Sequence, residues 1–500
     1  MNYTYDMEKQ HSKGKLHAIE RIQLVLDKGS FYEIGSQVSN NPPVITDNIS
    51  ELPYDGVITG YGTISGKRVF IYAQDATVQG GTLGIRHGKK IAHVIKMAIK
   101  RRCPVIGIND SGGARLQECV NSMAGYGEIF YYNTLASGYI PQISIIAGPC
   151  AGGAAYSPGI TDFIFTIDGC SKMFITGPKV VKSVTGQDYS TETLGGANMH
   201  ATYSGASHVK CSSEEECFQK VRQLIEMLPS SAENKEIQEK KYTYEKKYFS
   251  KIDTILPSQA KKTYDVRKVI EEICDKDSFF EIQAQFAPNI VVGFAKLCGI
   301  VVGFIANQPL YMGGVLDCNA SDKGARFVRY CDAYNIPLIT LVDTPGFMPG
   351  LDQERNGIIR HGAKMLYAFS ESTNVKVTVI LRKGYGGAYI AMGSKHLGVD
   401  YVYTWPNAEI AVMGAEGVVP VIYSRQINSL KGEEKEKFIE EKMNKYKTEQ
   451  LNAAQALAEG YVDEMITPME TRKRLYNDIV SSLDKNEFTS ISKKHGCMPL

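Results

Sequence analysis

Four short glycine clusters are the residues whose spacing best suits chemistry in this 500-residue chain. Ser111-Gly112-Gly113-Ala114 and Gly152-Gly153-Ala154 lie in the first half, Thr344-Pro345-Gly346 and Gly386-Gly387-Ala388 in the second. Each follows an apolar run that reads as a buried strand, and the carboxyl edge of such strands is where open α/β sheets bind ligands. Glycine lets the backbone approach a ligand, and a helix starting just afterwards leaves N–H groups without intrahelical partners. Two adjacent N–H groups make an oxyanion hole, suited to an enolate or thioester oxygen on which charge develops. A tight strand-to-helix turn would explain one cluster alone; matching clusters in two halves favour function.

Other chemistries are absent from the pattern. The sequence contains no G-x-x-x-x-G-K-[ST] phosphate loop, no H-E-x-x-H and no G-x-S-x-G elbow. The nine histidines do not cluster at ligand spacing, and no metal site is expected; His87, His200, His208 and His361 read as structural or surface residues. Asp110, Glu118 and Asp343 lie near the glycine clusters, but an Asp at a strand end more often caps the following turn. A site rich in backbone donors, with no evident nucleophile, suits a reaction whose own substrate supplies the base.

The elements that must position these glycines come twice. Gly60, Gly66, Gly80 and Asp110 recur at a constant spacing of 233 as Gly293, Gly299, Gly313 and Asp343, and Gly153 recurs 234 residues on as Gly387. Within each copy, Val/Ile/Leu-rich runs (105–109, 143–147, 338–342, 377–381) alternate with helical stretches (89–101, 322–334). That pattern predicts βα units with strands covered on both faces, so the fold class is α/β with a mainly parallel sheet, twice over. The expected boundaries are an N-terminal domain over 1–228, a charge-rich linker over 229–262 and a C-terminal domain over 263–500. The run GEEKEKFIEEKMNKYK from Gly432 predicts a charged helix with a solvated face.

Composition narrows the class. Fifty-six basic and fifty-four acidic residues leave a net charge of +2, which argues against nucleic acid as the main partner. Eleven scattered cysteines without a C-x-x-C pair suggest neither a disulfide framework nor a zinc ribbon. No run of about 18 apolar residues occurs and the N-terminal stretch is polar, so a reduced, cytoplasmic protein without a membrane span is expected.

Longer motifs now carry a resemblance. DSGGARLQE (110–118), GYGEIFYYN (125–133), GPCAGGAAYSPGITDF (148–163), FAPNIVVGFA (286–295), ASDKGARFVRYCDAYNIPL (320–338), IIRHGAKMLYA (358–368), GYGGAYIAM (384–392) and WPNAEIAVMGAEG (405–417) together resemble the carboxyltransferase (β) subunit of biotin-dependent acyl-CoA carboxylases, propionyl-CoA carboxylase type. The likeness runs from GKLHAIERI at Gly14 to the terminal KKHGCMPL. It implies two crotonase-like (ClpP/crotonase) domains in one chain. It further implies that carboxybiotin, delivered by a carrier, gives up CO2 and takes the α proton of a short acyl-CoA, acetyl- or propionyl-CoA, whose enolate then attacks CO2 to give malonyl- or methylmalonyl-CoA. By the resemblance, Gly152 and Gly153 form the hole for the acyl-CoA thioester oxygen, with Gly112, Gly113, Ala114 and Ala151 binding acyl-CoA. Gly387 and Ala388 form the hole for the biotin oxygen, and Tyr385, Gly386 and Ile390 line the biotin and acyl pocket.

The resemblance also implies a homohexamer, a trimer of dimers, with each site between the first domain of one chain and the second domain of another. The chain lacks a Met-Lys-Met biotinylation tripeptide and an ATP-binding loop, so a biotin carboxylase and a biotin carboxyl carrier are expected as partners. Ile390, where propionyl-selective relatives often carry Asp, also fits the α subunit of a methylmalonyl-CoA decarboxylase or a transcarboxylase. Where relatives read GSLGEAHAEK, residues 81–90 read GTLGIRHGKK; Lys383-Gly384-Tyr385 replaces KAY; and Asn452-Ala453 replaces Asn-Pro. These departures raise the alternative of a catalytically silent CoA-binding scaffold.

Overall fold

The computed structural model describes residues 7–40, 52–233, 251–257, 259, 262–485 and 495–499. The chain divides into two compact units, Met1–Glu236 and Ile237–Leu500. Much of the expected linker (234–250, 258, 260 and 261) lies outside the described residues, as does part of the terminal KKHGCMPL motif. Ile252, inside the expected linker, is buried in the core of the second unit.

The first unit is built on an eight-stranded sheet: β1 (Tyr32–Glu33), β2 (Val57–Ile64), β3 (Lys67–Gln74), β4 (Val105–Ser111), β5 (Gln142–Ala151), β6 (Phe163–Ile167), β7 (Lys172–Phe174) and β8 (Val209–Cys211). The order is β1-β2-β3-β4-β5-β6-β8, with β7 beside the far end of β5. β2 and β3 form an antiparallel hairpin whose turn residues Ser65 and Gly66 both have positive φ (48° and 79°), as a type I′ turn requires. From β3 onward the pairing is parallel, so crossovers are needed. The principal helices are α1 (Ala18–Val25), α2 (Ile85–Arg101), α3 (Val120–Ala136), α4 (Gly153–Ile160) and α5 (Glu214–Met227). β4 is buried along its whole length, which is why 105–109 shows no polar alternation.

The second unit repeats the plan with β9 (Phe280–Ile282), β10 (Ile290–Leu297), β11 (Ile300–Asn307), β12 (Leu338–Thr344), β13 (Lys376–Tyr385), β14 (Tyr401–Thr404), β15 (Glu409–Ala411) and β16 (Glu464–Met465). Its order is β16-β14-β13-β12-β11-β10-β9, with β15 beside the end of β13 as β7 lies beside β5. Its helices include α6 (Val266–Ile273), α7 (Cys318–Ala333), α8 (Ile358–Glu371), α9 (Gly386–Ala391), α10 (Ala415–Ile422), α11 (Gly432–Glu449) and α12 (Thr471–Ser481). The expected α/β fold with a mainly parallel sheet is thus present in both units.

Helix starts differ from the expected ones. α7 begins at Cys318 rather than 322 because Asp317 accepts from the Ala320 N–H (2.8 Å), a cap that overrides the weak apolar periodicity of its first turn. α2 begins at Ile85 rather than 89, with the Ile85 N–H donating to Glu118 Oε2 (2.8 Å). α11 buries no residue fully, although Met443 and Tyr446 pack against Tyr385, Ala415 and Leu451.

The repeat extends to a buried lysine. Lys90 on α2 donates to the carbonyls of Tyr54 (2.9 Å) and Val57 (2.5 Å). Lys323 on α7, 233 positions later, donates to those of Gln283, Phe286, Ala287 and Ile290 (2.7–3.3 Å). Each ammonium ties the crossover helix to the loop that opens the hairpin, and burial lowers the pKa of Lys90 to about 8 and of Lys323 to about 7. Lys90, which keeps the lysine that relatives carry beside the departures at Ile85 and Lys89, therefore has a structural role.

Candidate functional site

In the first unit the end of β5 is held on both sides. Ser111 of β4 pairs with Cys150, and Pro149–Ala151 pair with Lys172–Phe174 of β7. The strand then breaks at Gly152, whose φ of 60° is left-handed, and α4 begins. Gly113 (φ 104°) leaves no room for a side chain, since a Cβ there would stand 2.8 Å from the Ala151 carbonyl oxygen. Gly112, Gly113, Ala114, Ala151, Gly152 and Gly153 are thereby brought together at the carboxyl edge of two neighbouring parallel strands.

Hydrogen bonding sorts these residues. The Gly152 N–H donates to the Phe174 carbonyl (3.1 Å) and the Gly112 N–H to that of Gly80 (3.0 Å). This corrects the expectation that Gly152 is a donor of the hole: it is the pivot at which the chain turns. Among the described residues the N–H groups of Ala114, Gly153 and Ala154 have no backbone acceptor. In the second unit Gly386 (φ 58°) is the pivot, and Phe347, Gly387 and Ala388 stand where Ala114, Gly153 and Ala154 stand in the first. A cavity of about 620 Å³ opens beside Gly112, walled by Gln10, Lys13, Lys15, Gly80 and Pro149 among others.

The carboxylates near the clusters are engaged. Asp110, fully buried, accepts from Lys15 Nζ (2.5 Å) and Arg21 Nη1 (3.1 Å), and Arg21 also binds Glu214 (2.7 Å). Its counterpart Asp343 accepts from Arg382 Nε (3.0 Å), and burial raises its pKa against the opposing pull of Arg382. Arg382 occupies the position matching Gly148, where a side chain would collide with Asp110. Glu118 is bound to Arg115 (2.7 Å), which also holds Asp55 (2.6 Å). These groups are matched ion pairs rather than poised acids or bases.

The four histidines singled out above are likewise engaged in structural contacts. His87, fully buried with its pKa held well below the usual value by desolvation, bonds through Nδ1 to the Asp55 carbonyl (2.8 Å). His200 Nε2 bonds to the Met173 carbonyl (2.6 Å), His208 Nδ1 accepts from the Ile164 N–H (3.0 Å), and His361 pairs with Asp322 (2.8 Å).

The sequence profile of the carboxyl transferase domain matches residues 9–498. The chain belongs to that family. It is 47% identical over 496 residues to the methylmalonyl-CoA decarboxylase subunit alpha of Veillonella parvula, covering 99% of this chain and 95% of that protein. It is 47% identical over 503 residues to the propionyl-CoA carboxylase beta chain of Saccharopolyspora erythraea, covering 98% and 92%. A solved structure of transcarboxylase 12S, described as a hexamer with methylmalonyl-coenzyme A bound, superposes with a TM-score of 0.93 at 44% identity, covering 99% of this chain and 94% of that one. The chain is an acyl-CoA carboxyltransferase, and its two units are crotonase-like domains, as expected.

Two residues of this carboxyltransferase expected at the biotin and acyl pocket separate. Ile390 is exposed (38%) on α9 beside Gly387. The Tyr385 ring instead packs against Ala415 and Leu451, with its hydroxyl donating to Glu409, so this side chain is a support and not a lining group. Sequence reading passed over Lys15, Arg21, Arg115 and Tyr126. Only the motifs containing them, GKLHAIERI, DSGGARLQE and GYGEIFYYN, pointed their way.

Proposed function

We propose that this chain moves a carboxyl group between carboxybiotin on a carrier and the α carbon of a short acyl-CoA, acetyl- or propionyl-CoA. The observation that carries the reading is the pair of Gly-Gly helix starts, each turned by a left-handed glycine and each presenting N–H groups without a backbone acceptor. The N–H groups of Gly153 and Ala154, with Ala114 alongside, stabilise the thioester oxygen as it gains charge; those of Gly387 and Ala388 serve the biotin oxygen. The residues suit biotin: Gly387 is exposed, and a Cβ there would meet only the Phe347 ring, at 3.7 Å, so a bulky group can approach. Biotin supplies the transferable carboxyl group and the base. Among the described residues the carboxylates near the holes, Asp110, Glu118 and Asp343, are held in ion pairs, which agrees with that division of labour.

The cavity beside Gly112 gives room for part of a CoA ester. Exposed apolar side chains rim both glycine clusters, Leu116, Met123, Tyr156 and Ile175 in the first unit and Met348, Ile390, Val412 and Met413 in the second. Such rims are what joining the first unit of one chain to the second of another would cover, in a hexamer like that of transcarboxylase 12S. A biotin carboxylase and a carrier subunit complete the system.

A second reading is supported by Ile390 and by the methylmalonyl-CoA decarboxylase relatives: the same transfer run from methylmalonyl-CoA to biotin. The test is to incubate the purified chain with free biotin and malonyl- or methylmalonyl-CoA, and, in the forward direction, with free carboxybiotin as carboxyl donor and acetyl-, propionyl- or butyryl-CoA. CoA-ester-dependent carboxyl transfer is expected; a well-assembled protein inert with every ester would overturn the reading and restore the silent scaffold.

A further inference from the structure

Gly153 is backed by a ring. A Cβ at that position would stand 2.9–3.1 Å from three carbons of the Tyr126 side chain, so the α4 start lies directly on the ring face. Tyr126 lies on α3, is 5% exposed, and stacks on Phe130 (centroids 5.9 Å, 28° between planes). Phe130 in turn meets Tyr156 edge to face (6.4 Å, 80°), and Tyr156 is on α4 itself. The first turn of α4 is thus gripped at Gly153 and again three residues on. The Tyr126 hydroxyl is buried beside the Ser111 side chain without a hydrogen bond of good geometry, and burial raises its pKa against the opposing pull of Ser111. The part of Tyr126 that meets Gly153 is its ring.

The second unit also places a ring near its glycine pair, but more loosely and by another route. There the ring facing Gly387 is Phe347, from the loop after β12 and not from a helix, and a Cβ at Gly387 would stand 3.7 Å from it. The loop ring also contacts Gly362 of α8. Both copies thus turn an aromatic ring toward the second glycine of the pair, and only in the first does the ring close the space a side chain would need.

From this we infer that Tyr126 is a positioning residue for carboxyl transfer: its ring fixes the direction of the Gly153 and Ala154 N–H groups toward the acyl-CoA thioester oxygen, while its hydroxyl is dispensable. The inference rests on the proposed function and refines it. A donor displaced by about 1 Å costs up to about 100-fold in rate, and the loss falls on kcat because the oxygen acquires its charge only in the transition state.

The test is steady-state carboxyl transfer by full-length Tyr126→Leu and Tyr126→Phe beside the wild-type chain, with oligomeric state and thermal unfolding measured on each. Tyr126→Leu should lower kcat at least about ten-fold with KM for the CoA ester within about two-fold. Tyr126→Phe should retain most of the wild-type kcat, since it keeps the ring. Wild-type kcat in Tyr126→Leu, a loss confined to KM, or an equal loss in Tyr126→Phe would overturn the inference. Should Tyr126→Leu fail to assemble, Tyr126→Phe and Tyr126→Trp decide: full activity in the Trp variant, whose larger ring must displace α4, would contradict it. An inert wild-type chain would count against the proposed function instead.

Discussion

Gly153 has two demands on it at once: the Tyr126 ring behind its Cα and an N–H that must stay open in front. Gly153→Val therefore should abolish carboxyl transfer, by more than about 100-fold, while leaving the oligomer intact; retention of activity in a properly assembled variant would remove Gly153 from the hole. Ile390 makes a different case. At 38% exposure it can be replaced by Asp without burying a charge, and Ile390→Asp should shift the ratio of kcat/KM between acetyl-CoA and propionyl-CoA. An unchanged ratio would exclude this position as the selector. The glycine pairs were legible as a motif because the repeat presents them twice. The loss of the Gly152 N–H was not, since its partner Phe174 lies on the three-residue strand β7, too short to leave a pattern.

Elements supply the countercharges by different routes in the two copies. In the first unit, Lys15 and Arg21 from the N-terminal segment reach the strand-end Asp110; in the second, Arg382 within β13 serves Asp343. Removing one member of such a buried pair leaves the other uncompensated. Arg382→Gln should lose about 3–5 kcal/mol of stability in urea unfolding, and a change under about 1 kcal/mol would contradict the assignment. The buried lysines allow a graded comparison: Lys323→Met strands four carbonyls and Lys90→Met two, so the former should be the more destabilising, by about 1–3 kcal/mol. Equal losses would show that the carbonyl contacts do not set the cost. The strands and principal helices were readable from apolar runs and the 233-residue spacing. Pairings such as Arg21 with Asp110 and Glu214, distant in sequence, leave no local trace.

At the scale of the molecule, the two glycine-turned helix starts, one per unit, are proposed to be the halves of one carboxyl-transfer site completed between chains. Family membership and the crotonase-like fold follow from the whole-length match; how the halves meet rests on the apolar rims around them. The most direct measurement is complementation between Gly153→Val and Gly387→Val chains, each inactive alone, coexpressed with distinguishable tags and purified as mixed oligomers. A site shared between chains leaves some interfaces with both halves intact, and recovery of up to about one quarter of wild-type transfer is predicted. No recovery from verified mixed oligomers would contradict the central claim and confine each site to a single chain.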